Sequence, residues 1–239
     1  NIDDLVGAIA IPSDGQANAI DVTQALAKGA RSRGALIFEN TQVTEILHDG
    51  ERVTGVRVGD AIIRANAVVL SAGMWTRDLA ASIGVHVPLH ACEHFYIVTE
   101  PFPALTPDLP VLRDYDSCAY YKEDAGKLLL GAFEPKAKPW GMDGIPEDFC
   151  FDELPEDIEH FEPILFSAIE RLPALADVGI QTFFCGPESF TPDVRYHLGE
   201  TPELRNCYVA AGFNSIGLQS AGGAGKVMAE WIRDCRPPV

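Results

Sequence analysis

His94 and Tyr96 stand two apart in EHFYIVTE, and Tyr120 and Tyr121 stand together in SCAYYKED. Residues two apart on a strand share a face, so His94 and Tyr96 point the same way. An imidazole and a phenol that converge on a pocket can bind an amine or a carboxylate, or move a proton. A histidine satisfied inside a core is the commoner arrangement, and residue types alone leave both readings open.

A second stretch, VAAGFNSIGLQSAGGAGK at 209–226, has the outline of a cofactor cradle. Neither phosphate-binding pattern fits it. A GxxxxGK[ST] loop would need glycine where Ser220 stands and a hydroxyl where Val227 stands. A GxGxxG fingerprint could use Gly223 and Gly225 but meets Met228 at its third glycine. What remains is a strand, an extended loop with Gly212 and Gly217, and a helix expected to start near Gly222. Small residues let backbone approach a flat ligand closely. A helix N-terminus offers unpaired N–H groups and a positive dipole end, which suit a group that becomes negative during reaction. A tight strand–helix packing loop with no ligand reads equally well. The segment VVLSAGMW is a further close-approach site, because a buried strand ending in Ser71-Ala72-Gly73 sets backbone at the carboxyl edge of a sheet.

The elements that must position these residues are legible in outline. DVTQALAKGARSRG reads as a helix, with Asp21 able to cap it, Val22, Ala25, Leu26 and Ala30 on one face, and Gly34 to end it. ALIFEN reads as a short strand. TQVTEILHDG and ERVTGVRVGD end in the turn pairs Asp49-Gly50 and Gly59-Asp60. AIIRANAVVLSAG supplies two more strands, the second at Val68–Ser71, and a helix is expected from about Trp75. EHFYIVTE, LLLGAF and IQTFFCG read as a mostly antiparallel sheet. In PEDIEHFEPILFSAIERLPAL, Ile158, Phe161, Leu165, Ile169 and Leu172 can share a helical face, and Pro163 is expected to kink or split the helix. Turns are expected at Thr191-Pro192-Asp193 and at Gly199. The fold class that follows is α/β in the α+β sense: part of a Rossmann-like layer interleaved with an antiparallel sheet.

The chain has 239 residues and a net charge of −17, so its field repels phosphate backbones and nucleic acid is not an expected partner. No apolar run approaches the roughly 20 residues of a membrane span. The six cysteines form no CxxC pair and have no accompanying histidine spacing, so no metal site is expected. Cys92, Cys185 and Cys207 sit in apolar surroundings as free thiols would, which points to a reducing compartment.

Taken in order, VTEI, VVLSAGMWTRDLA, VPLHACEHFYIVTE, AYYKED, GPESFTPDVRYHLG and YVAAGFNSIGLQSAGGAGKVMAEWI resemble one family. It is that of the flavin-dependent amine oxidoreductases of the D-amino-acid-oxidase type, and within it the dimethylglycine and sarcosine dehydrogenases. The resemblance spans nearly the whole chain. It implies an FAD-binding part at 1–88, a substrate-binding antiparallel sheet at 89–188 and a return to the FAD-binding part at 189–239. It implies that Ala72, Gly73 and Trp75 touch FAD, that Val43 in the VTEI strand lies near the adenine half, and that Gly212, Asn214, Ser215, Ile216, Gly217 and Leu218 run along the flavin ring. His94 and Tyr120 match the family's active-site histidine and tyrosine. The implied reaction is oxidation of an N-methyl amino acid, with an electron-transfer protein as a further partner. The compartment would be the cytoplasm, or the mitochondrial matrix in a eukaryote. A regulatory subunit of pyruvate dehydrogenase phosphatase belongs to the same family, as do oxidases of other small amino acids. The family's GxGxxG, its flavin-linking histidine and the folate-binding domain of its longer members are not in this sequence. The chain is therefore expected to be a truncated piece, colourless or weakly yellow when purified by itself.

Overall fold

A computed structural model describes residues 1–103 and 105–238. They form two compact units: one of residues 1–17, 92–140 and 147–187, the other of residues 18–91, 141–146 and 188–239. The architecture is mixed α/β with mostly antiparallel sheets.

In the second unit the chain enters through helix α1 (Ala19–Arg31). Its cap is Asn18, not Asp21: the Asn18 side chain accepts hydrogen bonds from the backbone N–H groups of Ile20 and Asp21. None of its residues is buried, so the face expected from Val22, Ala25, Leu26 and Ala30 covers no core among the described residues. ALIFEN is not a strand, because no neighbouring backbone pairs with it. The Asp49-Gly50 and Gly59-Asp60 turns do join β1 (Glu45–His48), β2 (Val53–Val58) and β3 (Ala61–Arg64) into an antiparallel sheet. Strand β4 (Val68–Leu70) leads through a 3-10 turn at Gly73–Trp75 into α2 (Thr76–Ala81). Leu70, Val85, Val87, Leu89, Cys207 and Val209 belong to the core of this unit, together with Ile46 and Val53.

The other unit holds most of a five-stranded sheet. Its strands are β5 (His90–Thr99), β6 (Leu112–Asp114), β7 (Ala119–Asp124), β8 (Lys127–Ala132) and β9 (Ile180–Phe190), in the order β6-β7-β8-β5-β9. Alternation along the strands divides the sheet into two faces. Phe95, Ile97, Tyr121, Leu130 and Ala132 are buried in one cluster with Phe161, Ile164 and Ala168 of helix α3 (Ile158–Arg171). Phe183 meets Phe161 edge-on at 5.4 Å, within the range where such ring pairs attract beyond their area. Pro163 does not split α3, which runs unbroken for 14 residues. It is the sixth residue of the helix, past the first turn, and forgoes the bond its missing N–H would have made to the Glu159 carbonyl. Ile158 is exposed, and Ile164 takes its expected place in the core.

The last elements are β10 (His197–Glu200), β11 (Cys207–Ala211) and α4 (Gly217–Asp234). β11 pairs antiparallel with β10 and parallel with β4. Thr191-Pro192-Asp193 does turn, closed by the Val194 N–H donating to the Thr191 carbonyl. Gly199 is not a turn but a strand residue with φ 147°, where a Cβ would lie 2.7 Å from the Trp231 ring of α4. The glycine is there for the close approach of a helix to a strand.

Candidate functional site

The cleft in the second unit is built from β4, β11 and α4. Its volume is about 670 Å³, and Val69, Ser71, Gly73, Glu188, Ala210, Gly212 and Phe213 line it along with one face of α4. That face reads Gly217, Ala221, Ala224, Met228 and Ile232, with Gly225 and Ala229 beside it. Steps of three and four place these residues along one stripe of a helix. The helix begins at Gly217, five residues ahead of the expected Gly222, so Gly217 and Leu218 belong to its first turn and not to the loop.

Asn214 and Ser215 both have positive φ, 50° and 64°. Asparagine tolerates that region and serine is rare in it, so something must hold the pair. The Asn214 carbonyl oxygen accepts from the Thr191 N–H at 2.8 Å, and its amide donates to the Gly212 carbonyl at 2.7 Å. Glu188 accepts from the Ser215 N–H at 2.5 Å and from its hydroxyl at 2.6 Å. These two side chains shape the loop.

Of the ten cofactor candidates, Gly73, Gly212 and Gly217 line the cleft. Ala72, Trp75, Asn214, Ser215, Ile216 and Leu218 are chain neighbours of its wall. Val43 precedes β1 by two residues instead of lying in the strand, and is 37% exposed. The stripe on α4 was the part that residue types alone missed. The signal was present, since small residues recur at helical spacing from 217 to 229, but a helix start placed at 222 hid it.

The first unit carries a different constellation, on the sheet face opposite α3. Arg113 lies opposite Tyr120, Tyr120 opposite Gly131, and Gly131 opposite Tyr96, a single row across four strands. Directly opposed residues of antiparallel strands project to the same side. The Tyr120 ring lies across Gly131, where any Cβ would come within 1.9 Å of its Cζ. Phe133, two residues beyond Gly131, meets the rings of both His94 and Tyr120 at 5.6 Å. Tyr96 stacks on Phe184 at 4.5 Å.

His94 has a carboxylate behind it. Its Nδ1 lies 3.2 Å from Glu134, whose side chain is 6% exposed and whose other oxygen accepts from the Phe95 N–H. A carboxylate only accepts, so an ionised Glu134 favours the tautomer of a neutral ring that carries its proton on Nδ1. The sheet thus brings His94 and Tyr120 onto one aromatic platform, with Glu134 as the orienting group that residue spacing did not reveal.

The other reactive types are quiet. All six cysteines are free thiols. Burial pushes the thiols of Cys92, Cys185 and Cys207 up, that of Cys185 to about 12 with the Glu93 carboxylate as a second cause. They behave as small apolar groups. Among the described residues no group of His, Cys, Asp and Glu could hold a metal ion, and no helix is long and apolar enough to cross a membrane.

Known proteins give this geometry a family. The family model described as FAD dependent oxidoreductase (DAO) matches residues 1–231. The 4-methylaminobutanoate oxidase (formaldehyde-forming) of Paenarthrobacter nicotinovorans is 46% identical over 228 residues, 95% of this chain and 28% of that protein. The mitochondrial pyruvate dehydrogenase phosphatase regulatory subunit of Mus musculus is 39% identical over 97% of this chain and 27% of its own. The mitochondrial sarcosine dehydrogenase of Homo sapiens is 37% identical over 99% of this chain and 26% of its own. The chain therefore spans about a quarter of the length of the relatives it matches. Among solved structures, the L-proline dehydrogenase from P. horikoshii superposes with a TM-score of 0.79 at 25% identity, over 94% of this chain and 58% of that one. With the family model matching nearly every residue, the chain belongs to the DAO family of FAD-dependent oxidoreductases.

Proposed function

We propose that this chain is part of a flavoprotein that oxidises an N-methylated amino acid at its N-methyl carbon. The observation that carries the reading is the pairing of His94, oriented by Glu134, with Tyr120 on one ring platform. The relatives' names support the substrate class, since they include a formaldehyde-forming methylaminobutanoate oxidase and a sarcosine dehydrogenase.

The α4 cleft fits a flat cofactor. Glycine and alanine make up most of its lining, with Val69, Phe213, Met228 and Ile232 as apolar neighbours, so a planar ring can approach backbone closely over much of the wall. Gly73, Gly212 and the stripe from Gly217 to Met228 would hold it, with the N-terminus of α4 favouring negative charge on the ring edge. FAD bound there would supply the two-electron acceptor.

His94 takes the proton of the substrate's secondary ammonium on Nε2 and leaves the amine neutral. Glu134 stabilises the resulting imidazolium through Nδ1. Tyr120 hydrogen-bonds the substrate and fixes the methyl group for hydride loss. The hydride departs with both electrons of its C–H bond, leaving R–NH⁺=CH₂. Water adds to that carbon, and the C–N bond breaks to give R–NH₃⁺ and formaldehyde, or the carbon passes to tetrahydrofolate. An electron-transfer protein or oxygen would then reoxidise the cofactor. The cytoplasm, or the mitochondrial matrix of a eukaryote, would be the setting.

The test is anaerobic. Sarcosine, dimethylglycine and 4-methylaminobutanoate are added in turn to the full-length protein, and flavin absorbance is followed with formaldehyde release. Bleaching with one formaldehyde per flavin is expected. No bleaching with any methylated amino acid would favour a second reading, a regulatory protein, which the 39% identity to the phosphatase regulatory subunit supports. Bleaching by glycine or proline alone would indicate an oxidase of another small amino acid.

A further inference from the structure

Among the described residues that line the α4 cleft, Glu188 is the one whose side chain carries a charge; the rest are glycine, alanine, serine or larger apolar residues. Glu188 lies near the end of β9 and is half-buried. One of its carboxylate oxygens accepts from the Ser215 N–H at 2.5 Å and the other from the Ser215 hydroxyl at 2.6 Å. Ser215 immediately precedes Ile216, the N-cap of α4, whose own side chain caps nothing. The carboxylate is therefore fastened beside the first turn of an 18-residue helix.

Two fields of opposite sign meet at this end of the cleft. The helix dipole is equivalent to roughly half a positive elementary charge at its N-terminus, and an ionised carboxylate carries a full negative one. The surrounding wall is mostly apolar, so both fields act with less screening than in water. Reduction by two electrons and one proton adds a net negative charge to a flavin ring. The dipole favours that change and the carboxylate opposes it. The two hydrogen bonds from Ser215 fix where the opposing charge stands.

We infer that Glu188 holds down the reduction potential of a flavin seated in this cleft, so that the reduced cofactor passes its electrons on more readily. The inference rests on the reading of the α4 cleft as the seat of the flavin ring. Glu188 acts through its charge, and the redox chemistry remains the cofactor's.

The experiment uses the full-length, FAD-loaded protein. Its potential is measured without oxygen against a reference dye at about pH 8, well above the usual carboxylate range. Glu188→Gln keeps the shape and an acceptor for Ser215 but removes the charge. It should shift the reduction equilibrium toward the reduced flavin by about tenfold, which is about 30 mV upward for a two-electron couple. Glu188→Asp and Ser215→Ala both retain the charge and should stay close to the wild type. An unchanged or lowered potential in Glu188→Gln overturns the inference. Equal shifts in the Gln and Asp variants also overturn it, because loop shape would then be the cause. So does loss of flavin from Glu188→Gln, since removing a repulsion does not weaken binding. Gly225→Leu separates this inference from the reading beneath it. If that variant loses flavin while Glu188→Gln leaves the potential unmoved, the cleft stands and the inference fails. If Gly225→Leu folds and keeps its full flavin content, the cleft reading fails and takes the inference with it. Melting curves show that each variant is folded.

Discussion

The sheet face of the first unit and the α4 cleft of the second solve recognition in opposite ways. The sheet face works by large side chains in fixed register, Arg113, Tyr120, Tyr96, His94 and Phe133, with the Tyr120 ring lying where Gly131 has no Cβ. The cleft works mainly by keeping side chains small, with glycine and alanine making up most of its lining beside Met228 and Ile232. A surface of the first kind supplies chemistry, because it positions titratable groups. One of the second kind supplies room, and its chemistry must come from what it holds. The same mutation should therefore mean different things in the two places.

The largest expected effect lies beneath the sheet. Phe161→Ala removes a ring that is 1% exposed and should cost about 3–5 kcal/mol, measured by urea unfolding. A loss below about 1 kcal/mol would mean that α3 is not what supports the sheet carrying His94 and Tyr120. Next comes a glycine-to-alanine pair. Gly131→Ala drives a methyl group into the Tyr120 ring and should cost about 1–3 kcal/mol, with a fall in turnover larger than the loss of stability implies. Gly225→Ala meets nothing within 4 Å and should instead stabilise α4 by about 0.5–1 kcal/mol. If both changes were neutral, the contrast between the two surfaces would fail.

Two finer tests sharpen it. Gly222→Ala also meets nothing within 4 Å but faces away from the cleft lining, so it should stabilise the helix and leave flavin content unchanged. Gly225→Leu should fold as well and retain less flavin, read from the absorbance of the full-length protein. The smallest effect concerns His90, in the second unit. Burial and then the nearby Arg77 charge lower its pKa below the usual 6.5. A group depressed in the folded state is protonated first in the unfolded chain. Its contribution is therefore complete above about pH 6.5 and is lost as pH falls through the lower folded value. The melting temperature should decline along that acid limb, and His90→Gln should flatten the decline.

Much of the local structure was legible. The hairpin turns at Asp49-Gly50 and Gly59-Asp60, the apolar strand at Val68 and the alternation in EHFYIVTE all depend on near neighbours, and each element formed where its pattern stands. The misreadings share a cause. ALIFEN has strand-forming residues but no partner backbone beside it. Gly199 looks like a turn residue until Trp231 of α4, 32 positions away, is seen above it. Ile164 replaced Ile158 in the core because α3 settled its buried face against Phe95 and Phe183.

The sequence by itself determined the family, through the order and spacing of its motifs, and it named His94 and Tyr120 as residues able to do chemistry. It could do so because residue type and local spacing carry that information. Only the tertiary structure decided that Phe133 joins this pair to Arg113, that Glu134 stands 3.2 Å from the histidine's Nδ1, and that small residues of α4 line one cleft with β11. Each of these depends on strand register or on the rotation of a helix about its axis. Those are set when distant segments pack together, and no window of neighbouring residues contains them.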